Sequence, residues 1–454
     1  MRPKRSRRRL DVTCAAALAL SAAPSEPGIE LIHHGVRTAR FRGETGLESV
    51  SPVRRIDPTA SRIAPRGISS RDINRQIALN LIRSKQPVSR AELARLMGVR
   101  RGAVSRLVDE LLETRLVFEG AKGESPRGRK PMHLHIEARQ RRVVAVDVNA
   151  TTTALLVTDL LGHPLEGVVE MATPRRPQVL VKELVHAISG LLASHPDAGE
   201  CVGVGVSVSG LVDTDGRLKY SPTLGWHDAN LRETLRLATN LPVVIESSTK
   251  ACVLGQVWAV RGDAPVDGPV AFVNVSDGVG VGIAVDGKLL RGARNVAGEF
   301  GHVPLNLYGP RCSCGRRGCW EAYVSKRAVI ARYRGTDPSW PTSADTAAVT
   351  IEDVMARAHV GERRAVETLR ETGHFLGCGL ATIVKAIDPR RIYVGGEITA
   401  AWDILAPTVR DTMREDDLGR DGTEILTVPL GEHARLRGAA ALITSPEFAA
   451  AVVS

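Results

Sequence analysis

Aromatic residues are scarce in this sequence, and long apolar segments are missing from it. Phe, Trp and Tyr make up 4% of the 454 residues, although hydrophobic residues of all kinds reach 43%. No segment approaches the roughly 18–20 consecutive apolar residues that a membrane-spanning helix needs. The composition therefore predicts aliphatic cores and no membrane anchor, and the length allows about three lobes or domains of 100–200 residues each.

Positive charge is concentrated in the first third of the chain. Residues 1–142 contain 30 Lys and Arg against 14 Asp and Glu, whereas the remaining residues contain 31 against 36. The net charge of +11 hides this division between a strongly basic front and a mildly acidic body. Such a distribution suggests a polyanion-binding module joined to a separately functioning domain.

A dense group of potential metal ligands lies between residues 297 and 323. It consists of one imidazole and three thiols: His302, Cys312, Cys314 and Cys319. The C-x-C-x4-C spacing can supply the donors of a closed tetrahedral zinc site, and glycines at 315 and 318 let the loop fold back. Buried free cysteines are the alternative, but the segment lacks apolar periodicity. A disulfide fits less well, because nothing else in the chain is typical of a secreted protein.

Residues 70–118 follow the pattern of a helix-turn-helix. Pro87 ends the first helix, Ser89 and Glu92 form a capping box at the start of the second, and Gly98 supplies the turn to the third. The expected inward residues of the first helix are Ile73, Ile77, Ala78, Leu81 and Ile82. Those of the second and third are Leu93, Leu96, Met97, Val104, Leu107, Val108, Leu111 and Leu112. Two short helices joined by a glycine-containing turn are typical of DNA readers.

The third helix and the hairpin after it carry the candidate DNA contacts. Near the start of the helix lie Arg100, Arg101, Ser105 and Arg106, at positions that enter the major groove in this geometry. A strand from residue 116, a basic turn and a second strand through His133 and His135 form a hairpin, or wing. Its tip carries Arg127, Arg129 and Lys130, which suit phosphates or the minor groove. The alternative is a helical pair that only packs on the next domain.

Residues 1–66 are expected to form a basic, disordered extension. The start MRPKRSRRR and the apolar residues 12–23 imitate a secretory signal, but export does not suit a thiol-rich, DNA-binding protein. The rest is rich in Pro, Arg and Gly without sustained periodicity, which is typical of disorder. The extension could also be leader from a start codon assigned too early. We expect a cytoplasmic protein that associates with the bacterial nucleoid.

Buried strands and helical stretches alternate from residue 139 onward. Strands are predicted at 141–149, 155–158, 202–210, 243–247, 270–287 and 391–396. Helices are predicted at 178–193, 229–238 and 365–386. This alternation indicates an α/β architecture.

The thiol block and the helix-turn-helix together resemble a known family. AGEFGH followed by CSCGRRGCWE is similar to the signature of the ROK family, which contains sugar kinases and sugar-responsive repressors. SRAELARLMGV and RGRKP resemble its regulator branch. The resemblance implies a winged helix at 67–138 and a two-lobed, actin-like (ribonuclease H-like) α/β domain at 139–454, whose C-terminal helix returns to the first lobe.

The same resemblance assigns roles to individual residues. It gives His302, Cys312, Cys314 and Cys319 as the zinc ligands. Glu299, His302 and Glu321 occupy positions that face the sugar hydroxyls. Support of the zinc loop is the alternative role for the two glutamates.

The nucleotide loops depart from the pattern of active ROK kinases. The first loop of such kinases reads D-x-G-x-T, and its glycine lets the loop approach the ATP phosphates; here Asp147 is followed by Asn149 and Ala150. The second reads G-T-G-x-G, whereas this chain keeps Gly278 and Gly280 but places Asp277 beside the triphosphate. Two further glycines match the adenosine side and could be kept for packing: Gly395 and Gly396. These departures predict a degenerate site that does not bind ATP.

The catalytic base of the kinases is also missing. The family carries an E-N-D-A-N-A-like run whose aspartate deprotonates the sugar, and this chain has Ser247 and Ser248 in place of the Asn-Asp pair. A neutral hydroxyl cannot act as that base at pH 7. Glu246 would share a face with Ser248 on a continuing strand, but its reach is different. We expect no catalytic residue here, and Ser247 remains a candidate for sugar binding.

Three functions remain open from the sequence. The first is a transcriptional regulator, more often a repressor in this family, that binds operator DNA as a homodimer or dimer of dimers and senses a sugar or sugar phosphate. The second is an ATP-dependent sugar kinase, related to glucokinases and to N-acetylglucosamine or N-acetylmannosamine kinases, with an appended DNA-binding domain. The third is an architectural DNA-binding dimer whose pocket has lost its ligand.

Overall fold

The computed structural model describes residues 70–122, 132–195, 199–259, 268–339, 349–415 and 422–448. The predicted N-terminal extension lies outside these residues, and so does the tip of the wing with Arg127, Arg129 and Lys130. Among the described helices, none is both long and apolar enough to cross a membrane.

The front of the described chain is a winged helix. Its elements are α1 (Ser70–Lys85), β1 (Val88–Ser89), α2 (Arg90–Met97), α3 (Arg101–Glu113), β2 (Val117–Lys122) and β3 (Met132–Ile136). The three strands form an antiparallel sheet in the order β1-β3-β2. Gly98 ends α2 in the left-handed conformation with φ of 65°, which is the turn predicted between the second and third helices. The predicted order of helix, turn, helix and hairpin is confirmed.

The buried faces of α1 and α2 differ in part from the predicted ones. In α1 the core residues are Ala78, Leu79 and Ile82, whereas Ile77 is 37% exposed. In α2, Leu96 is 48% exposed, and Ala94 is buried beside Leu93 instead. Both errors have the same cause, because two neighbouring stripes of each short helix are apolar and periodicity alone does not choose between them.

The first lobe of the body is built on a five-stranded mixed sheet. Its strands are β4 (Arg141–Val148), β5 (Thr152–Asp159), β6 (Val169–Ala172), β7 (Glu200–Val208) and β11 (Val243–Ser247), in the order β11-β7-β4-β5-β6. Helices α4 (Pro177–Ala193) and α5 (Leu231–Thr239) pack against it. A small antiparallel sheet adds β8 (Leu211–Val212), β9 (Leu218–Ser221) and β10 (Trp226–Ala229).

The second lobe repeats a five-stranded sheet in the order β14-β13-β12-β15-β16. Its strands are β12 (Pro269–Val275), β13 (Val279–Val285), β14 (Lys288–Leu289), β15 (Arg391–Gly395) and β16 (Glu424–Thr427). Its helices are α7 (Glu321–Val324), α8 (Lys326–Arg334), α9 (Ile351–His359), α10 (Arg363–Ile387) and α11 (Trp402–Arg414). Short 3-10 helices span Phe300–His302, Glu397–Ala401 and Leu430–Glu432. The stretch 270–287 is thus a hairpin rather than one strand.

Two helices join the lobes: α6 (Ser248–Ala259) and α12 (Ala434–Phe448). The C-terminal helix α12 returns to the first lobe, where Leu436 and Ala439 pack with Val143 on β4. Helices α6 and α12 touch through backbone, because a Cβ added to Gly255 would lie 2.9 Å from the Gly438 nitrogen. At the crossing point there is therefore no room for a side chain at Gly255 or Gly438.

Candidate metal centre, ligand cleft and DNA interface

The four predicted metal ligands converge at the edge of the second lobe. The donor atoms of His302, Cys312, Cys314 and Cys319 all lie within 4.8 Å of one another. His302 comes from the 3-10 helix after β14, and the cysteines come from a loop that turns at Gly315 and Gly318, with φ of 87° and 68°. The sequence-based reason for these glycines is therefore confirmed.

The distances within the cluster fit a tetrahedral zinc ion. Cys312 Sγ lies 3.5 Å from His302 Nδ1, and Cys314 Sγ lies 3.6 Å from Cys319 Sγ. Zinc bonds of about 2.3 Å to sulfur and 2.0–2.1 Å to nitrogen give tetrahedral edges of about 3.6–3.8 Å. Burial, followed by the nearby Cys312, raises the pKa of the Cys319 thiol, so a thiolate at this point needs a cation beside it. The donor set and its spacing therefore suit the metal.

Glu321 lies at the back of this cluster rather than open to a ligand. Its carboxylate accepts hydrogen bonds from the Val279 backbone N–H at 3.1 Å and the Ser313 hydroxyl at 2.8 Å. The residue is 8% exposed, and Cys312 Sγ lies 3.5 Å from its Oε1. This geometry favours the alternative role of Glu321, in which it supports the metal loop. Glu299, by contrast, is exposed at the start of the 3-10 helix.

Ser248 is the first residue of α6, so the strand that carries Glu246 does not continue to it. The expectation that these two residues share a strand face is therefore wrong. Glu246 is 2% exposed and already bonded: it accepts from Ser247 N at 2.9 Å, from Arg291 Nε at 3.1 Å and from Asn295 Nδ2 at 3.1 Å. A carboxylate held by these donors does not provide a free base.

Lys250 belongs to the same buried network, and sequence reasoning missed it. The residue is 3% exposed, and its ammonium donates to the carbonyl oxygen and to Oδ1 of Asn295. Burial lowers the pKa of Lys250, although Glu246 and Glu299 oppose the change. The network joins β11 and α6 to the loop that leads from β14 into the metal block. The signal available in the sequence was that Lys250 is the only charged residue of α6.

The first phosphate loop is closed by its own hydrogen bonds. Asn149 N donates to Thr152 O at 3.1 Å, and Ala150 N donates to the Asn149 side chain at 3.0 Å. Asp147 accepts from the Ser207 hydroxyl at 3.0 Å. Burial raises the pKa of Asp147, with Arg435 and Ser207 opposing the change. The amides of Asn149 and Ala150 are therefore engaged within the protein.

The second phosphate loop is bonded in the same way. Ser276 N donates to Gly278 O at 2.9 Å, and Val279 N donates to Glu321. Lys326 at the start of α8 lies 2.8 Å from Asp277 and 3.3 Å from Glu397. The charge of Asp277 is thus balanced within the protein, so repulsion of a triphosphate is a weaker reason against nucleotide binding than the bonded amides of Ser276 and Val279.

Packing is enough to require glycine at the four positions that correspond to the nucleotide-binding glycines of the kinases. A Cβ at Gly395 would lie 2.6 Å from the Phe272 ring, and one at Gly396 would lie 2.0 Å from Val275 O. A Cβ at Gly278 would lie 2.6 Å from the Glu321 carboxylate, and one at Gly280 the same distance from Thr249. These glycines therefore carry no evidence for a bound nucleotide.

A cavity of about 340 Å³ lies between the phosphate loops and the start of α12. Arg435, which sequence reasoning missed, reaches into it from α12 and places Nη1 3.6 Å from Asp147 Oδ2. The side chain is 21% exposed. A protein cation thus faces the aspartate that opens the first loop.

The predicted recognition residues lie on α3 and at its N-cap. Arg100, Arg101 and Arg106 are exposed and Ser105 is half-buried, while Val104, Leu107, Val108 and Leu111 face the core. Arg90 fixes the start of α2 against this helix through Asp109 at 2.7 Å. Arg101 and Arg106 are therefore accessible on a helix whose opposite side is packed in the core, and Arg100 is accessible at its N-cap.

Comparisons with known proteins agree with this architecture. A profile of the ROK family matches residues 143–445, and a profile of the MarR family matches residues 73–130. The chain is 27% identical over 374 residues to the xylose repressor of Bacillus subtilis strain 168, which covers 82% of this chain and 94% of that protein. It is 29% identical over 317 residues to the glucokinase of Streptomyces coelicolor. That match covers 67% of this chain and 98% of the glucokinase.

A solved structure supports the same assignment at the level of the fold. It is described as a ROK family transcriptional regulator, a homologue of the E. coli MLC protein, and it matches with a TM-score of 0.70 at 24% identity. The match covers 83% of this chain and 96% of that one. The chain belongs to the ROK family, with an actin-like sugar-kinase fold preceded by a MarR-like winged helix.

Proposed function

We propose that this protein is a sequence-specific DNA-binding regulator of carbohydrate metabolism, and a repressor, whose ROK domain binds a sugar or sugar phosphate without phosphorylating it. One observation carries the proposal. The chain joins an exposed basic recognition helix to a cleft in which four amides of the phosphate loops are already bonded within the protein: those of Asn149, Ala150, Ser276 and Val279. The name of the Bacillus relative supports the same function.

DNA binding is assigned to the winged helix. Helix α3 enters the major groove, where Arg101 and Arg106 reach guanine edges or phosphates, and the wing follows the backbone. Two copies related by a two-fold axis bind a palindromic operator, because symmetric half-sites match a symmetric dimer. The proposed DNA-binding form is therefore a homodimer.

Regulation is assigned to the cleft. A carbohydrate near Ser247 and Glu299 needs only a different affinity for two conformations of the protein to shift their populations. In the sugar-bound conformation, the two recognition helices of the dimer lie at a different distance from each other. Xylose is the first sugar to test, given the name of the Bacillus relative.

Phosphoryl transfer does not fit the residues of the cleft. Ser248 offers no base, and Glu246 is bonded to three donors. Loss of a general base typically lowers the rate by about a hundred- to ten-thousandfold. The Streptomyces relative is named a glucokinase, so the kinase remains the function against which the proposal is tested.

The metal centre is assigned a structural role. His302, Cys312, Cys314 and Cys319 would hold zinc with four protein donors, which leaves no position for substrate. The bound ion would cross-link the 3-10 helix to the cysteine loop. Through Glu321, the same loop is bonded to β13 beside the cleft.

The decisive experiment measures DNA and sugar binding on the same protein. A duplex is selected by the full-length chain from a random library, and its affinity is measured with and without xylose and a panel of sugars and sugar phosphates. We expect selection of a palindrome and a weaker complex with one sugar. A protein that selects no sequence would refute the proposal. Sequence-specific DNA binding with no sugar-dependent thermal shift would favour the architectural dimer, and steady ADP release would favour the sugar kinase.

A further inference from the structure

We propose that α6 couples the ligand cleft to the winged helix through a contact between Trp258 and Arg83. This inference deepens the proposed function and rests on it, because it takes the cleft to regulate DNA binding. Arg83 lies on α1 of the winged helix, and Trp258 lies in the last turn of α6. The two residues form a joint between the domain that reads DNA and the body.

The first turn of α6 lies at the cleft and touches both lobes. The helix begins at Ser248, directly after the candidate sugar contact Ser247. On the side of the second lobe, a Cβ added to Gly282 of β13 would lie 2.1 Å from Thr249 O. A movement of β13 against the first lobe therefore displaces the start of α6.

The last turn of α6 lies against the winged helix. The Arg83 guanidinium stacks over the Trp258 ring at 3.9 Å from the ring centre, and its Nη1 donates to Trp258 O at 3.1 Å. Trp258 also packs against the hydrophobic core of the winged helix. Burial lowers the pKa of Arg83 to about 10, in keeping with a guanidinium shielded from water. This contact is desolvated and specific in geometry.

The helix between these ends is suited to carry a displacement. Its 12 residues span about 18 Å at 1.5 Å per residue. A Cβ added to Gly438 of α12 would lie 2.2 Å from Ala251 O, so the two helices meet backbone to backbone. Close-packed interiors transmit strain rather than absorb it. A shift at Thr249 is therefore delivered to Trp258 and changes the position of α1.

The coupling can be tested without knowing the sugar, because linkage is reciprocal. If the cleft acts on the DNA reader, then DNA must act on the cleft. Hydrogen exchange of the full-length protein is followed by mass spectrometry, free and bound to the duplex selected above. We expect amides of residues 243–251 to exchange about fivefold or more slowly when DNA is bound, within the usual range of coupling.

Three variants separate coupling from stability. Trp258→Ala should abolish the change at residues 243–251 while DNA affinity stays within about threefold, and Trp258→Phe should retain it because the ring still stacks with arginine. Trp402→Ala is the matched control, since Trp402 is a half-buried tryptophan on α11, and it should behave as wild type. An unchanged response in folded Trp258→Ala, or no response in wild type, overturns the inference. If no duplex is selected, the proposed function itself falls, and the coupling with it.

Discussion

Arg435 Nη1 lies 3.6 Å from Asp147 Oδ2 and joins the start of the C-terminal helix to the end of the first strand of the body. The carboxylate also accepts from Ser207, so both partners offset part of the cost of burying its charge. In the ROK kinases that this chain resembles, the corresponding aspartate opens the loop that approaches the ATP phosphates. The ion pair with Arg435 therefore gives Asp147 a structural role that needs no bound nucleotide.

We predict that the protein does not phosphorylate sugars and that Ser248→Asp alone recovers little activity. The substitution supplies a carboxylate, but the amides of Ala150 and Val279 remain bonded within the protein. A coupled assay of ADP release with xylose, glucose, mannose and N-acetylglucosamine measures this. Turnover on the order of 1 s⁻¹ or more in either protein, within the usual range of enzymes, would contradict it.

One zinc ion per chain is expected in the purified protein. Cys314→Ala should lose the metal and lower the free energy of unfolding by about 4 kcal/mol or more, because loss of a structural metal is among the most destabilising changes. Elemental analysis and urea unfolding provide the two measurements. Cys378→Ala, at a half-buried cysteine on α10, should retain the zinc content and the free energy of unfolding of the wild type. Normal folding of metal-free wild type would count against the site.

Glu299 and Glu321 should separate into two different roles. Glu321→Ala leaves the Val279 N–H and the Ser313 hydroxyl without an acceptor, which should lower stability by about 1–3 kcal/mol and reduce zinc retention without any sugar present. Glu299→Ala, at an exposed position, should change stability by less than about 0.5 kcal/mol but weaken sugar binding. Thermal unfolding and calorimetric titration distinguish the two. Equal effects from both variants would disprove the division.

Arg101→Ala and Arg106→Ala should each weaken binding of the selected duplex by about 1–3 kcal/mol. Arg363→Ala on α10 is the control, because its side chain is 90% exposed and lies in the body. Replacing the three cations of the wing tip, Arg127, Arg129 and Lys130, by Gln should instead lower affinity for all sequences and reduce the salt dependence. Fluorescence anisotropy at several salt concentrations tests both statements. Full affinity in a chain that lacks residues 1–138 would refute the assignment.

Lys250 should make stability depend on pH in a known direction. Burial lowers its pKa below 10.5 in the folded protein, so the unfolded chain binds the proton more tightly. Wild type should therefore gain stability relative to Lys250→Met as the pH rises from neutral towards 10.5. Urea unfolding at pH 7.5 and 9.5 measures the difference, and the exposed Lys182→Met serves as control. If the free energies of unfolding of wild type and Lys250→Met differ by the same amount at both pH values, Lys250 is not desolvated.

The sequence predicted the elements whose determinants are local. The four metal donors lie within residues 302–319, so their spacing alone indicates a site, and the capped helices and hairpin of the winged helix are likewise encoded in short segments. The choice between two apolar faces was not predictable, as Ile77 and Leu96 illustrate, because it depends on what packs against the helix.

Contacts between distant segments were also beyond the sequence. Arg435 and Asp147 are in contact, although they lie near opposite ends of the body in the sequence. Lys250 contacts Asn295, which follows β14 in the chain. Three of these residues are charged: Arg435, Asp147 and Lys250. Such a residue signals a buried partner, but it does not say which one.

The return of α12 to the first lobe has a consequence for synthesis on the ribosome. Strands β4 and β7 emerge early, yet the helix that covers them, with Leu436 and Ala439, is translated near the end. The winged helix has its own core and can fold first. Until α12 has been synthesised, the first lobe of the body exposes an apolar face. Exposed apolar surface of this kind promotes aggregation or recruits chaperones. The ability to respond to a sugar should therefore appear only after most of the chain has left the ribosome.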